Sequence, residues 1–295
     1  MAAVTKRIHR VTLHRSGIPG VEAMTLFSDH AFPRHSHDHF GIGIMTSGAQ
    51  RSWSVVGQVE SEAGDVIMCN PGEIHDGRPL KPGTGNLEPE ANARGWRILY
   101  FDPSFIAGEL SREERGELMV PPVVRDPRLS AAVAHLFRDV ERATPDTLAV
   151  EERLMSCLML VSQRHRLNGS ATPHTSPSIA SAIQRLDEAP EIPITLADLA
   201  RLTGVSRFQL LRGFAKEIGT TPHAYLVQRR ARLAKRFLSA GRSPAETALL
   251  SGFADQSHLT RAFVRLFGVT PARYQNNVVP KPQVPIPKPR KTARR

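Results

Sequence analysis

Cysteine is scarce in this chain of 295 residues: there are two, Cys69 and Cys157, in different segments. That excludes a disulfide framework and a close thiolate metal pair, and each reads as a small buried hydrophobe. No apolar run approaches the roughly 18 residues needed to span a bilayer. Met1-Ala2-Ala3-Val4-Thr5-Lys6-Arg7 leads into charged and polar residues, not the apolar segment of a signal peptide. A cytoplasmic location without a membrane partner is therefore expected. Acidic residues are scarce in one half only. Residues 179–295 hold 20 Lys and Arg against 7 Asp and Glu, a balance of +13, which leaves −2 for the first 178 residues of a chain carrying +11. Such concentrated positive charge, with no amphipathic or lipidated anchor beside it, points to the phosphate backbone of nucleic acid.

The length suits about two domains. Residues 1–110 carry short alternating apolar runs, Ile42-Gly43-Ile44-Met45, Ser52-Trp53-Ser54-Val55-Val56, Asp65-Val66-Ile67-Met68 and Trp96 to Phe101, separated by turn residues such as Asn70-Pro71-Gly72-Glu73. These predict strands of a barrel or sandwich, with an exposed loop at 82–86. Within 111–167 the period turns helical: Leu129, Val133, Leu136, Phe137 and Val140 form one stripe and Leu154, Leu158 and Val161 another, parted by Pro145. The polar stretch 168–178 reads as a flexible linker, and 278–295 as a disordered basic, proline-rich tail.

What remains, 179–277, contains one pattern written twice. Leu210, Phe214, Gly219, Thr221-Pro222 and Tyr225 recur as Leu259, Phe263, Gly268, Thr270-Pro271 and Tyr274, each 49 positions later. Each block follows an Ala-rich helical stretch ending in Gly204 or Gly252, at an offset of 48, so the second copy has one extra residue before its second helix. Helix, glycine turn, helix in tandem predicts two helix-turn-helix units, 196–217 and 244–267. In the first, Leu196, Leu199, Ala200 and Leu202 form the apolar face, Thr195 and Ser206 cap the two helices, and Leu210 and Phe214 face inward. Leu259 and Phe263 are the inward pair of the second. Gln256, Ser257, His258, Thr260 and Arg261 then face outward, with side chains suited to base edges, whereas Phe208 and Leu211 offer apolar contact to thymine methyls. The linking helix carries Arg229, Arg230, Arg232, Lys235 and Arg236, read as a solvated basic face holding the readers about 34 Å apart, with Arg230 on phosphate.

These residues resemble the DNA-binding domain of the AraC/XylS family of bacterial transcription regulators. Its motifs stand here as Ser206 to Phe214, Gly219 to Tyr225, Ala248 to Phe253 and Phe263 to Pro271. The resemblance covers about a third of the chain, Ser178 to Asn276, and implies that the second helix of each unit contacts bases. The residues so implicated are Ser206, Arg207, Phe208, Leu211 and Arg212, then Gln256, Ser257, Thr260 and Arg261. Two departures stand out: Thr247 replaces a usual aliphatic residue, and Gly213 lies inside the first reading helix, where it softens that helix by about 1 kcal/mol relative to Ala.

In the first half, His35-Ser36-His37-Asp38-His39 and the later Asn70 to His75 resemble the two half-motifs of a cupin barrel, the sensing fold of many regulators of this family. The expected fold is thus a multidomain α+β chain: a cupin-like β-barrel, a helical linker and dimerisation segment, and an all-α tandem helix-turn-helix domain. On one strand, His35 and His37 would share a face and meet His75. Three imidazoles are competent for zinc, nickel or iron. The carboxylate that catalytic cupins place after the paired histidines is missing, so no cofactor or metal is expected, and His35, His37 and His75 are the ligands if one binds, with Asp38 or Glu73 available as a fourth. The same histidines with Trp53 and Trp96 are the candidate pocket for a small-molecule effector, Arg97 beside them. The expected partners are double-stranded DNA, an effector, a second copy in a homodimer, and RNA polymerase if the protein activates. The alternative is a metal-dependent cupin enzyme fused to a DNA-binding domain.

Overall fold

The computed structural model describes residues 8–54, 56–80, 92–105, 119–142, 144–167 and 175–278. The expected loop at 82–86, most of the linker at 168–174 and the tail from 279 lie outside the described residues.

Among the described residues, ten strands form two antiparallel sheets: β1 (His9–Arg15), β2 (Val21–Ser28), β3 (Phe32–His35), β4 (Phe40–Ser47), β5 (Ala49–Ser54), β6 (Gly57–Glu62), β7 (Val66–Cys69), β8 (His75–Pro79), β9 (Arg94–Phe101) and β10 (Val123–Val124). One sheet has the order β1-β2-β9-β4-β7-β10 and the other β3-β8-β5-β6. The four apolar runs fall on β4, β5, β7 and β9. β1 and β6 are edge strands, and their sequences HRVTLHR and GQVESE are correspondingly polar.

Helices α1 (Pro127–Val140) and α2 (Thr147–Arg164) follow, capped by Asp126 and Asp146. Both predicted stripes are buried, and they share one core with Ile42, Val66 and Leu99 of the sheet. No helix among the described residues is long and apolar enough to cross a membrane.

The second half holds α3 (Pro177–Glu188), α4 (Leu196–Thr203), α5 (Arg207–Gly213), a π-helical turn (Phe214–Ile218), α6 (Pro222–Ser239), α7 (Pro244–Leu250), α8 (Gln256–Phe267) and α9 (Pro271–Val278). Thr195 and Ser206 cap α4 and α5 in reciprocal capping boxes with Asp198 and Gln209. The repeat is expressed in packing: Leu210, Phe214, Leu259 and Phe263 are all fully buried, each contributing about 1.5 to 3 kcal/mol of burial. Gly219 and Gly268, the repeated glycines, both stand at φ +74, a backbone state that other residues adopt only at a cost.

Two local expectations change, and one departure is explained. Leu202 is 56% exposed, because the eight residues of α4 turn only Leu199 and Ala200 fully inward. Gly213 is not a soft spot in open space: an added Cβ would lie 2.8 Å from Cδ1 of Ile179, so α3 seats against α5 there. Thr247 is buried in place of an aliphatic, its hydroxyl facing the Arg242 carbonyl at 3.4 Å.

The two helix-turn-helix units are held differently. The first packs with α3 in a core of its own. The second shares a core with the barrel, in which Val11, Leu26, Trp96 and Ile98 meet Ala231, Leu259, Phe263, Leu266 and Tyr274.

Candidate functional site

The outward faces of α5 and α8 remain open to solvent. Arg207, Phe208, Leu211 and Arg212 are exposed on α5, Phe208 at 70%. Ser206 is exposed too, but its hydroxyl accepts the Gln209 N–H at 3.2 Å and so serves as the helix cap. On α8, Gln256, Ser257 and Arg261 are exposed. Thr260 is half-buried and its hydroxyl donates to the Gln256 carbonyl at 2.8 Å, leaving its methyl and a lone pair for a partner. His258, expected outward, instead packs edge-on against Phe253, ring centroids 5.1 Å apart, because it follows the cap Asp255 by one turn on the inner side.

The linking helix α6 is not the solvated basic face expected. Arg229 pairs with Asp187 at 2.6 Å and Asp38 at 3.3 Å. Arg232, 9% exposed, bonds Asp38 and Ser36. Lys235 pairs with Glu22 at 2.7 Å. Arg230, assigned to phosphate on sequence, donates to the Pro190 carbonyl at 2.7 Å. Of those five cations Arg236 alone is exposed. Charge that sequence reasoning allotted to DNA holds α6 against the barrel and α3. Further bonds join the halves: His9 Nε2 to the Gly268 carbonyl at 2.6 Å, Tyr274 to Glu22 at 2.7 Å and Arg34 to the Gly219 carbonyl at 3.0 Å.

Between the halves lies a cavity of about 1160 Å³ including its open mouth. The barrel contributes Met24, Leu26, Phe32, Met68, Trp96, Ile98 and Tyr100, and the helical half closes it with Lys235 of α6 and with Leu266, Phe267, Val269 and Tyr274. His35, His37 and His75 lie in its wall. His35 and His75 are cross-strand partners on β3 and β8. His37 is not on the strand with His35: β3 ends at His35, and the chain turns through Ser36 and Asp38, both bonded to Arg232. The turn still delivers His37, with ring centroids 4.8 Å from His35 and 5.1 Å from His75.

Burial pushes the His35 pKa down to about 3, reinforced by His75, and lowers those of His37 and His75, chiefly through loss of water. All three rings are neutral at pH 7. Arg94, 1% exposed, also lines the cavity; its guanidinium donates to Gln50 and to the carbonyls of Ser28, His30 and Gly77 and lies 4.9 Å from the Trp96 ring. Trp53, expected in the pocket, is outside this cavity. Arg34 stacks on its ring at 4.1 Å, and the pair abuts Gly219 of the first unit. Cys69 and Cys157 are both buried and free, and burial raises each thiol to about 12.

Residues 25–158 match the model of the AraC-like ligand binding domain, and residues 199–277 match that of a helix-turn-helix domain. The uncharacterized HTH-type transcriptional regulator YbfI of Bacillus subtilis is 28% identical over 242 residues, 77% of this chain and 81% of its own length. The HTH-type transcriptional regulator MtrA of Neisseria gonorrhoeae is 27% identical over 238 residues, 72% and 77% of the two chains. The chain belongs to the AraC family of transcription regulators. The AraC-type fold extends to a solved structure, unsaturated fatty acid bound wild-type ToxT from Vibrio cholerae, at a TM-score of 0.50 and 13% identity over 93% of this chain and 97% of that one. As an AraC-family regulator the chain pairs a ligand-binding barrel with a DNA-binding helix-turn-helix domain. Sequence reasoning gave no cavity role to Glu22, Lys235, Leu266, Phe267 and Tyr274, which meet there across more than 200 positions, although Lys235 stood out on the linking helix and Tyr274 in the repeat.

Proposed function

We propose that this regulator binds specific DNA through the exposed faces of α5 and α8, in successive major grooves, and that a small molecule in the cavity governs this binding. The carrying observation is that one helix serves both ends. Gln256 to Arg261 of α8 form a reading face, and Leu266 and Phe267 of the same helix form cavity wall. Gln256 and Phe267 are about 16 Å apart along a rod rising 1.5 Å per residue. A ligand displacing Phe267 therefore displaces the reader directly. It shifts the population between docked and released arrangements by its difference in affinity for the two.

The chain acts in the cytoplasm as a regulator and not as an enzyme. The enzyme reading has the three convergent imidazoles behind it, but the relatives matched along most of the chain are transcription regulators. Leu148 and Met159 are exposed on α2, 65% and 57%, and offer a seam to a second copy. RNA polymerase is the further partner if the protein activates.

The test is a metabolite panel read by thermal shift and by affinity for the gene's own upstream DNA. A ligand at a hundredfold excess over its Kd adds about 2.7 kcal/mol of stability. It should also change DNA affinity, and Met24→Trp, which puts an indole into the cavity, should weaken both responses. A stabilising ligand that leaves DNA affinity unchanged would refute the coupling.

A further inference from the structure

The histidine cluster is built more elaborately than an apolar effector pocket requires. The ligating nitrogens of His35, His37 and His75 all lie within 4.8 Å of one another. His35 Nδ1 is 2.6 Å from the Pro33 carbonyl, and His75 Nδ1 is 3.1 Å from the Glu73 carbonyl. A carbonyl can only accept, so both Nδ1 atoms carry the proton and both Nε2 atoms keep their lone pairs. Anchoring one ring nitrogen on a backbone carbonyl is how proteins orient an imidazole and raise its basicity for a metal. Among the described residues, none hydrogen-bonds those Nε2 atoms or either ring nitrogen of His37.

A second observation points the same way. Glu73, 7% exposed, lines the same cavity. Its Oε2 accepts from the Asn70 amide at 2.6 Å, while its Oε1 is buried without a hydrogen-bond partner among the described residues. A carboxylate oxygen taken from water is costly to leave unsatisfied, and the imidazole lone pairs face the same cavity. His37 has one N–H to offer, so the cluster can meet at most one of these lone pairs by itself. One cation would serve the three imidazoles.

We propose that His35, His37 and His75 hold one divalent first-row transition-metal ion, of the zinc, nickel or ferrous kind, with its remaining positions open to the cavity for a donor atom of the effector. This deepens the reading of the cavity as the effector site and rests on it. Imidazole nitrogens suit these ions. An ion about 2.1 Å from each nitrogen sets neighbouring nitrogens roughly 3 to 3.5 Å apart, so the rings close by up to about 1.8 Å on binding. Three neutral ligands leave the ion's double charge largely uncompensated, and so the effector's donor is an anionic oxygen such as a carboxylate, hydroxamate or catecholate.

The test uses untagged full-length protein, stripped with chelator and titrated with Co2+ by visible absorption and with Zn2+ by calorimetry. A single ion per chain is expected. His37→Ala and His75→Ala should each weaken binding by about 100-fold or more, whereas His135→Ala, an exposed position on α1, should leave it unchanged. X-ray absorption of the Co2+-loaded wild type should count three imidazoles, a readout that stands even where a variant fails to fold. Azide, as a probe of the open positions, should shift the Co2+ bands. Substoichiometric binding, fewer than three imidazoles, or unchanged affinity in a folded His37→Ala protein would overturn the site. An unmoved Co2+ spectrum would overturn the open positions. Duplex binding measured in the same preparations separates the two readings: stoichiometric Co2+ without DNA sequence preference sinks the regulator mechanism and leaves the metal site standing.

Discussion

Gly213→Ala sets two opposed effects against each other at the seat of the first reading helix. Alanine is favoured over glycine in a helix by about 1 kcal/mol. The added Cβ, however, would lie 2.8 Å from Cδ1 and 3.1 Å from Cγ1 of Ile179, which is 3% exposed in the core between α3 and α5. Overpacking of that kind costs about 1 to 3 kcal/mol, so the single variant should lose roughly 1 kcal/mol net. Ile179→Val removes the Cδ1 atom at a cost of about 1 kcal/mol. In that background only the longer contact remains, and Gly213→Ala should become neutral or stabilising by up to about 1 kcal/mol. The coupling energy of the pair is then about 1 to 2 kcal/mol, well beyond the scatter of independent sites. Urea unfolding followed by helical circular dichroism measures all four corners of the cycle. If Gly213→Ala stabilises the wild type by the full propensity gain, or if the two changes are simply additive, the contact with Ile179 does not govern this position.

Other outcomes follow from the docked arrangement. Arg261→Ala should relax preference at one base pair by about 1 to 3 kcal/mol, and equal losses on specific and random duplex would show that α8 reads by another face. Arg230→Ala should destabilise the fold through its lost bond to the Pro190 carbonyl and leave the salt slope of DNA binding unaltered; a slope reduced by about one would restore it to phosphate. Burial alone would raise the Glu22 pKa, but the Lys235 ammonium and the bonds from Lys235 and Tyr274 hold it below its usual value. A depressed carboxyl stabilises docking fully above the ordinary glutamate range, near pH 4.3, and that stability is lost as pH falls through the depressed value. Hydrogen exchange in α6 and α9, corrected for intrinsic rates, should therefore rise on acidification in the wild type. An identical rise in Glu22→Gln would exclude this pair as the cause.

The parts of the fold legible in the sequence are those set by local periodicity and caps. Leu210 and Phe214 had to face inward because they recur, four apart, as Leu259 and Phe263. Thr195 with Asp198 and Ser206 with Gln209 announce helix starts by their spacing alone. Strands β1 and β6 were invisible because edge strands bury one face incompletely and keep polar residues on the other. The placement of Trp53 was equally hidden, since its partner Arg34 and its neighbour Gly219 are tertiary. The most consequential gap was α6. An Arg-rich helix has the same sequence whether its charges meet phosphate or meet Asp38, Asp187 and Glu22, and only the fold shows that the carboxylates are there. His37 shows the converse: it reaches His35 and His75 although the strand expected to carry it ends before it.

The most direct test of this regulator as a reader of specific DNA is its affinity for the upstream duplex and for a random duplex of equal length, measured by fluorescence anisotropy across a salt series. Both affinities should fall linearly on a logarithmic salt scale, with the upstream site held about a thousandfold or more tighter at moderate salt. Equal affinities for the two duplexes would contradict the account.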